Sequence, residues 1–134
     1  MADPPPAGRL RTHPEERFAS LEEELDLQAV ADKLLAEPSG QHGHKQVALF
    51  RHGPATLALY CFDAGGRLPD HVVDGPVIIH VLTGRLHVHT DAAEHNLPAA
   101  QLLRLAPGVR HDVIAEEPSQ MLLTVCLEGP GSHP

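Results

Sequence analysis

From residue 46 onward the chain is a succession of short β-rich runs, each broken by Gly, Pro, Asp or Asn: 46–51, 56–62, 76–82, 85–90, 94–97, 101–105, 111–115 and 121–127. Eight short strands at this spacing point to an antiparallel sandwich or small barrel. Parallel neighbours would need a long crossover, usually a helix, between successive strands. No helical pattern separates these runs, so the expected architecture is a double-sheet jelly roll.

One segment outside the runs has helical periodicity. Leu27, Val30, Ala31, Leu34 and Leu35 recur at i, i+3, i+4, i+7 and i+8, which is one stripe of a helix. The N-terminal helix is expected over 18–38. Asp26 is its natural N-cap, and Ser20 with Glu23 offers a second start as a capping box. Pro38 and Gly40 end it. A single helix cannot bury its own stripe, so it should lie against the barrel or against a partner subunit. Residues 1–17 are rich in Pro, Gly and charge, and they read as a disordered arm; 129–134 read as a flexible tail, leaving 46–128 for the barrel.

A chain of 134 residues suits one domain, and it can bury a core without disulfides or a structural metal. The formal net charge of −8 repels phosphate backbones and anionic lipid, so neither nucleic acid nor membrane is an expected partner. No apolar run approaches the ~18 residues that span a bilayer, and the N-terminus lacks the apolar core of a secretory signal. Cys61 and Cys126 each sit in an apolar run and read as reduced thiols, in keeping with a cytoplasmic protein. There is no GxGxxG before a helix, no P-loop lysine and no GxSxG elbow. The aromatic residues are Phe18, Phe50, Tyr60 and Phe62, too few for a base- or sugar-stacking platform.

Two histidines stand out among eleven. Gly65, His71 and Gly84 fall in one stretch, and Gly108 and His111 in another; each histidine follows a glycine-containing turn and precedes an apolar run. This skeleton resembles the two half-motifs of the cupin barrel, and Leu105–His111 followed by Leu122–Thr124 is similar to small, single-domain bacterial cupins of the RmlC-like kind. The resemblance implies an all-β, cupin-type double-stranded β-helix with one N-terminal helix, a homodimer and a pocket inside the barrel. In that family the first half-motif supplies two histidines and a glutamate to a metal, and the second supplies one more histidine. His71 and His111 match the first and last of these ligands, while Val73 and Val77 stand at the other two positions. In the second half-motif Ala100 replaces the opening Gly, Pro107 is displaced by one, and Ala115 replaces the closing Asn.

The candidate metal ligands are therefore His71 and His111, and the metal would be one divalent transition ion (Mn, Fe, Ni or Zn) or none. A catalytic metal normally takes three protein ligands. Strand alternation from Val77 turns Ile79 and Val81 inward with it and His80 outward. His80 reaches the metal only if a bulge after Asp74–Gly75–Pro76 shifts the register. The expected pocket lining is Val73, Val77, Ile79 and Val81, with Arg110 at the mouth as a ligand-binding candidate. His87 and His89 share a strand face that can chelate, but Leu86 and Val88 own the core side. His42 and His44 fall in a Gly-containing loop that could at most cap the mouth.

Three functions follow. The first is a small-molecule-binding cupin with an incomplete metal site. The second is a metal-dependent dioxygenase or isomerase using His71, His111 and a nonstandard third ligand. The third is a non-catalytic dimeric structural cupin. The catalytic residues of an enzyme are unassigned by the sequence.

Overall fold

The computed structural model describes residues 21–127. The expected arm at 1–17, Ser20 and the tail at 129–134 lie outside the described residues. Helix α1 spans Leu27–Leu35, and nine strands follow: β1 (His44–His52), β2 (Ala55–Phe62), β3 (Arg67–His71), β4 (Val77–Thr83), β5 (Arg85–Thr90), β6 (Glu94–Pro98), β7 (Leu102–Leu105), β8 (His111–Ala115) and β9 (Ser119–Cys126). They form a five-stranded sheet in the order β1-β2-β9-β4-β7 and a four-stranded sheet in the order β3-β8-β5-β6. Every pairing is antiparallel. This is the jelly roll that the spacing of the strands predicts.

Alternation decides what each sheet buries. Val77, Ile79 and Val81 on β4 face inward, as do Leu86 and Val88 on β5, Val113 and Ala115 on β8, and Met121 on β9. Tyr60 and Phe62 close the same core from β2. The outer face of the five-stranded sheet carries a second, smaller cluster. There Ala31 and Leu34 of α1 meet Leu59 and Cys61, flanked by Leu49, Leu82 and Leu122. Ala31 and Leu34 of the helix stripe are thus buried against the barrel, while Leu35 at its end stays half exposed.

The helix is shorter than the 18–38 span expected from its periodicity and capping signals. Asp26 caps it, its carboxylate accepting the Ala29 amide at 3.1 Å, and Ala36 ends it. Leu21–Asp26 is not helical, so Glu23 takes no part in a capping box.

The sequence also conceals one strand. β3 reads RLPDH, polar and interrupted by Pro69, and it looks like part of a turn. It lies at the edge of its sheet, where a proline with no amide to donate is tolerated. Leu68, 6% exposed, anchors it to the core.

The chain leaves β4 and enters β5 through a single residue, Gly84, at φ +84°. A side chain there would run into Ser119 and the Pro118 carbonyl. Ser119, 3% exposed, uses the space, its hydroxyl oxygen accepting the Arg85 amide at 3.0 Å. No helix among the described residues is long and apolar enough to cross a membrane.

Candidate ligand site at the barrel mouth

His111 opens β8, an interior strand, so its side chain is enclosed by neighbours on both sides and is 3% exposed. A carbonyl oxygen can only accept, so the ring's Nδ1–H donates to the Val109 carbonyl at 3.1 Å. In the neutral ring this leaves the Nε2 lone pair free to accept a hydrogen bond or bind a Lewis acid.

His71 closes β3, directly across the ladder from His111. The two rings lie 6.2 Å apart, inclined at 30°. A β-bulge creates this pairing. Leu68 pairs with Val113 and His71 with His111, so β3 spends one more residue than β8 over the same stretch. An even ladder would put Asp70 opposite His111. Asp70 instead takes a left-handed conformation at φ +38°, and His71 arrives on the inner side.

His71 is open to solvent on one side. Its pKa is nonetheless held below the usual imidazole value. Partial burial is the first cause, and the positive charges that His111 and His44 can carry add to it. Asp70 opposes the shift without cancelling it. His71 is therefore uncharged at neutral pH and offers a lone pair rather than a cation.

His44 joins this neighbourhood, which the sequence does not reveal. It begins β1 opposite Phe62, and its ring lies 5.4 Å from that of Tyr60 and 5.5 Å from that of Phe62. Its Nδ1–H donates to the Arg67 carbonyl at 2.9 Å, which ties β1 to β3. The segment before it is no free loop: the Asp63 amide donates to the Gly43 carbonyl and the Arg67 amide to the His42 carbonyl. The usable signal was the alternation of β1 continued back from Gln46, which puts His44 on the same face as Gln46 and Ala48. Tyr60 is 7% exposed, and burial raises the pKa of its phenol, which stays protonated.

The other expected residues are distributed as follows. Val77, Ile79 and Val81 are 2%, 0% and 0% exposed, sealed inside the core cluster. Val73 is half-buried against that cluster, and its carbonyl accepts the Gly108 amide at 2.9 Å. His80 lies on the outer face. β4 keeps an unbroken register from Val77 to Val81, so the bulge that would turn His80 inward does not form. Arg110 donates to Asp70 at 3.2 Å, an exposed ion pair that links the turn before β8 to the bulge of β3. His87 and His89 also face outward, His87 at 3.1 Å and His89 at 3.6 Å from the Glu94 carboxylate.

These residues do not fit a cupin metal centre. Two of its four ligand positions carry hydrocarbon, and His80 points away. Among the described residues no three His, Cys, Asp or Glu side chains are grouped so that they could hold a metal ion. What the structure does provide is two facing imidazoles, one fixed and one open, with His44 close enough to act on His71 and itself packed against Tyr60 and Phe62.

Comparison with known proteins agrees with this architecture. Residues 52–127 match the family described as the AraC-like ligand binding domain. Solved structures with the same fold include a cupin superfamily protein from Desulfitobacterium hafniense, 16% identical, covering 81% of this chain and 94% of that one with a TM-score of 0.67. A conserved protein of unknown function from Streptococcus pyogenes is 20% identical, with 83% and 92% covered and a TM-score of 0.65. Salicylate 1,2-dioxygenase from Pseudoaminobacter salicylatoxidans is 14% identical; the likeness covers 74% of this chain but 30% of the enzyme, with a TM-score of 0.62. At these identities the likeness speaks for the fold, which enzymes and proteins without known activity share. A search of curated proteins gives no match. With the family match spanning more than half of its length, the chain belongs to the AraC-like ligand-binding domains, on a cupin barrel.

Proposed function

We propose that this protein is a small-molecule-binding cupin whose ligand binds at the end of the β3–β8 ladder and is held by His71 and His111. The observation that carries this reading is the facing pair itself, 6.2 Å between ring centres, with the buried member fixed by its bond to the Val109 carbonyl. Imidazole lone pairs accept hydrogen bonds, so the ligand is a molecule with hydroxyl or N–H donors. Its apolar part rests on Tyr60, Phe62 and Val73. Polar groups that fix orientation beside an apolar wall are the usual composition of a small-molecule site.

A divalent transition ion would be held weakly by two imidazoles, and its remaining positions would fall to water or ligand. The dioxygenase or isomerase reading needs a third protein ligand, which His80 does not supply. Cys61 and Cys126 are free thiols, consistent with the reducing cytoplasm as the place of action.

The test is a ¹H–¹⁵N titration of the protein against a panel of polyols, hydroxy acids and amides. Binding should perturb resonances of His71, His111 and their neighbours on β3 and β8, and His71→Ala should weaken it about tenfold or more, the loss of one to two hydrogen bonds. Perturbation confined to another part of the barrel, or affinity unchanged in His71→Ala, would sink the proposal.

A further inference from the structure

Among the described residues, four buried side chains carry an oxygen or a nitrogen: Tyr60, Thr90, His111 and Ser119. Two of them are fully partnered. The Thr90 hydroxyl donates to the Ala93 carbonyl at 3.2 Å and accepts the Ala93 amide at 3.2 Å. The Ser119 hydroxyl donates to the Glu117 carbonyl at 2.7 Å and accepts the Arg85 amide at 3.0 Å. The other two each keep a polar atom without a partner among the described residues. His111 uses Nδ1–H on the Val109 carbonyl, and its Nε2 bonds to nothing. The Tyr60 hydroxyl makes no hydrogen bond, although the residue is 7% exposed and packs among inward-facing residues of both sheets.

An unpaired buried polar atom is uncommon, because it has lost water and gained no partner. The two orphans here are complementary. Burial raises the pKa of the Tyr60 phenol, which stays protonated and is a donor, while Nε2 of a neutral imidazole is an acceptor. They also stand on facing sheets, Tyr60 on β2 and His111 on β8. A row of rings connects them. Tyr60 packs on His44 at 5.4 Å, His44 is close enough to act on His71, and His71 faces His111 at 6.2 Å.

We infer that the ligand is a small uncharged carboxamide that bridges the two sheets, its carbonyl oxygen accepting from the Tyr60 hydroxyl and an N–H donating to His111 Nε2. The inference rests on the reading of His71 and His111 as the ligand site, and it adds Tyr60 as the residue that selects among ligands. A carboxamide carries a strong acceptor together with N–H donors, so one molecule satisfies both orphans. Charge separates the amide from the corresponding acid. No Lys or Arg is buried among the described residues. Lys45 donates to the Glu37 carbonyl at the end of the helix, Arg110 pairs with Asp70, and Arg85 donates to Asn96. A carboxylate at Tyr60 would be stripped of water with no fixed cation to meet it.

Tyr60→Phe deletes the hydroxyl and keeps the ring, and it is measured without and with ligand at neutral pH. Without ligand the variant should melt at or above the wild-type temperature, because the hydroxyl has no bond to lose. A melting temperature several degrees lower would show the hydroxyl already bonded inside the protein, and overturns the inference. The ligand probes are lactamide and lactate, which share a skeleton, each titrated into the ¹⁵N-labelled protein. Lactamide should shift resonances on both β2 and β8 and bind about tenfold or more tightly than lactate. Tyr60→Phe should weaken lactamide about threefold to tenfold, the worth of one hydrogen bond. Lactate bound as tightly as lactamide overturns the selection by charge, and a lactamide titration that leaves β2 and β8 unshifted overturns the ligand class. Lactamide weakened by His71→Ala but indifferent to Tyr60→Phe overturns this inference alone. Lactamide bound yet indifferent to both substitutions overturns the reading of the site as well.

Discussion

His71 faces His111 across the β3–β8 ladder only because Asp70 is displaced from the position an even ladder would give it. The displaced residue sits at φ +38°, a region that Gly reaches freely, Asp and Asn reach with modest cost, and β-branched residues avoid. The histidine pair therefore depends on the conformational tolerance of the residue before it.

Asp70→Val should accordingly cost about 1–3 kcal/mol and disturb the pair. Asp70→Gly should stay within about 1 kcal/mol of the wild type, since the exposed ion pair it removes is worth ~0–1 kcal/mol. Urea unfolding gives the energies, and nuclear Overhauser contacts between the two imidazoles report the pairing. Equal losses in both variants would show that the bulge does not depend on the conformation of residue 70.

The two imidazoles differ in how much the fold needs them. His111 is enclosed and hydrogen-bonded, so His111→Ala leaves a cavity and an unmet carbonyl and should cost about 2–3 kcal/mol. His71 is open on one side, so His71→Ala should cost less than about 1 kcal/mol. Both should lose ligand. Equal destabilisation by the two substitutions would contradict the burial difference.

Acid should act through His71. Its folded pKa lies below the unfolded value, so the unfolded chain takes up the proton first. The stability tied to its neutral form is complete above the unfolded pKa of about 6.5 and is lost as pH falls through the folded one. Thermal midpoints should drop as pH falls below about 6.5, and less steeply in His71→Gln. Affinity for a ligand that donates hydrogen bonds to the His71 lone pair should weaken over the same interval. A His71 that titrates above 6.5 by NMR would reverse the sign.

Gly84 turns the chain from one sheet into the other. Gly84→Ala combines a left-handed alanine with a methyl pressed against Ser119 and the Pro118 carbonyl, and should cost about 2–4 kcal/mol. Chemical denaturation measures it. A loss below about 0.5 kcal/mol would mean that Ser119 moves aside freely.

Much of the barrel was legible in the chain. Alternation along 77–81 and 85–89 assigned inward and outward residues correctly, because a strand's period of two leaves no third choice once one face is buried. The helix was legible from its own period of 3.6 residues, and so was its Asp26 cap. β3 was not legible. Five residues containing Pro69 and a left-handed Asp70 have no strand signature of their own, and they are extended because β8 offers a ladder and Leu68 a place in the core. His44 was likewise read as a loop residue, since its tie to the Arg67 carbonyl spans twenty-three positions of sequence.

The sequence by itself determined the sheet architecture and the direction of most side chains, since periodicity and residue chemistry are local properties. Only the tertiary structure decided that His71 turns inward through a bulge, that His80 does not, and that His44 comes to Tyr60 and Phe62. Each of these is set by the register of one strand on another or by the packing of one element on the next, and those are relations between segments far apart along the chain.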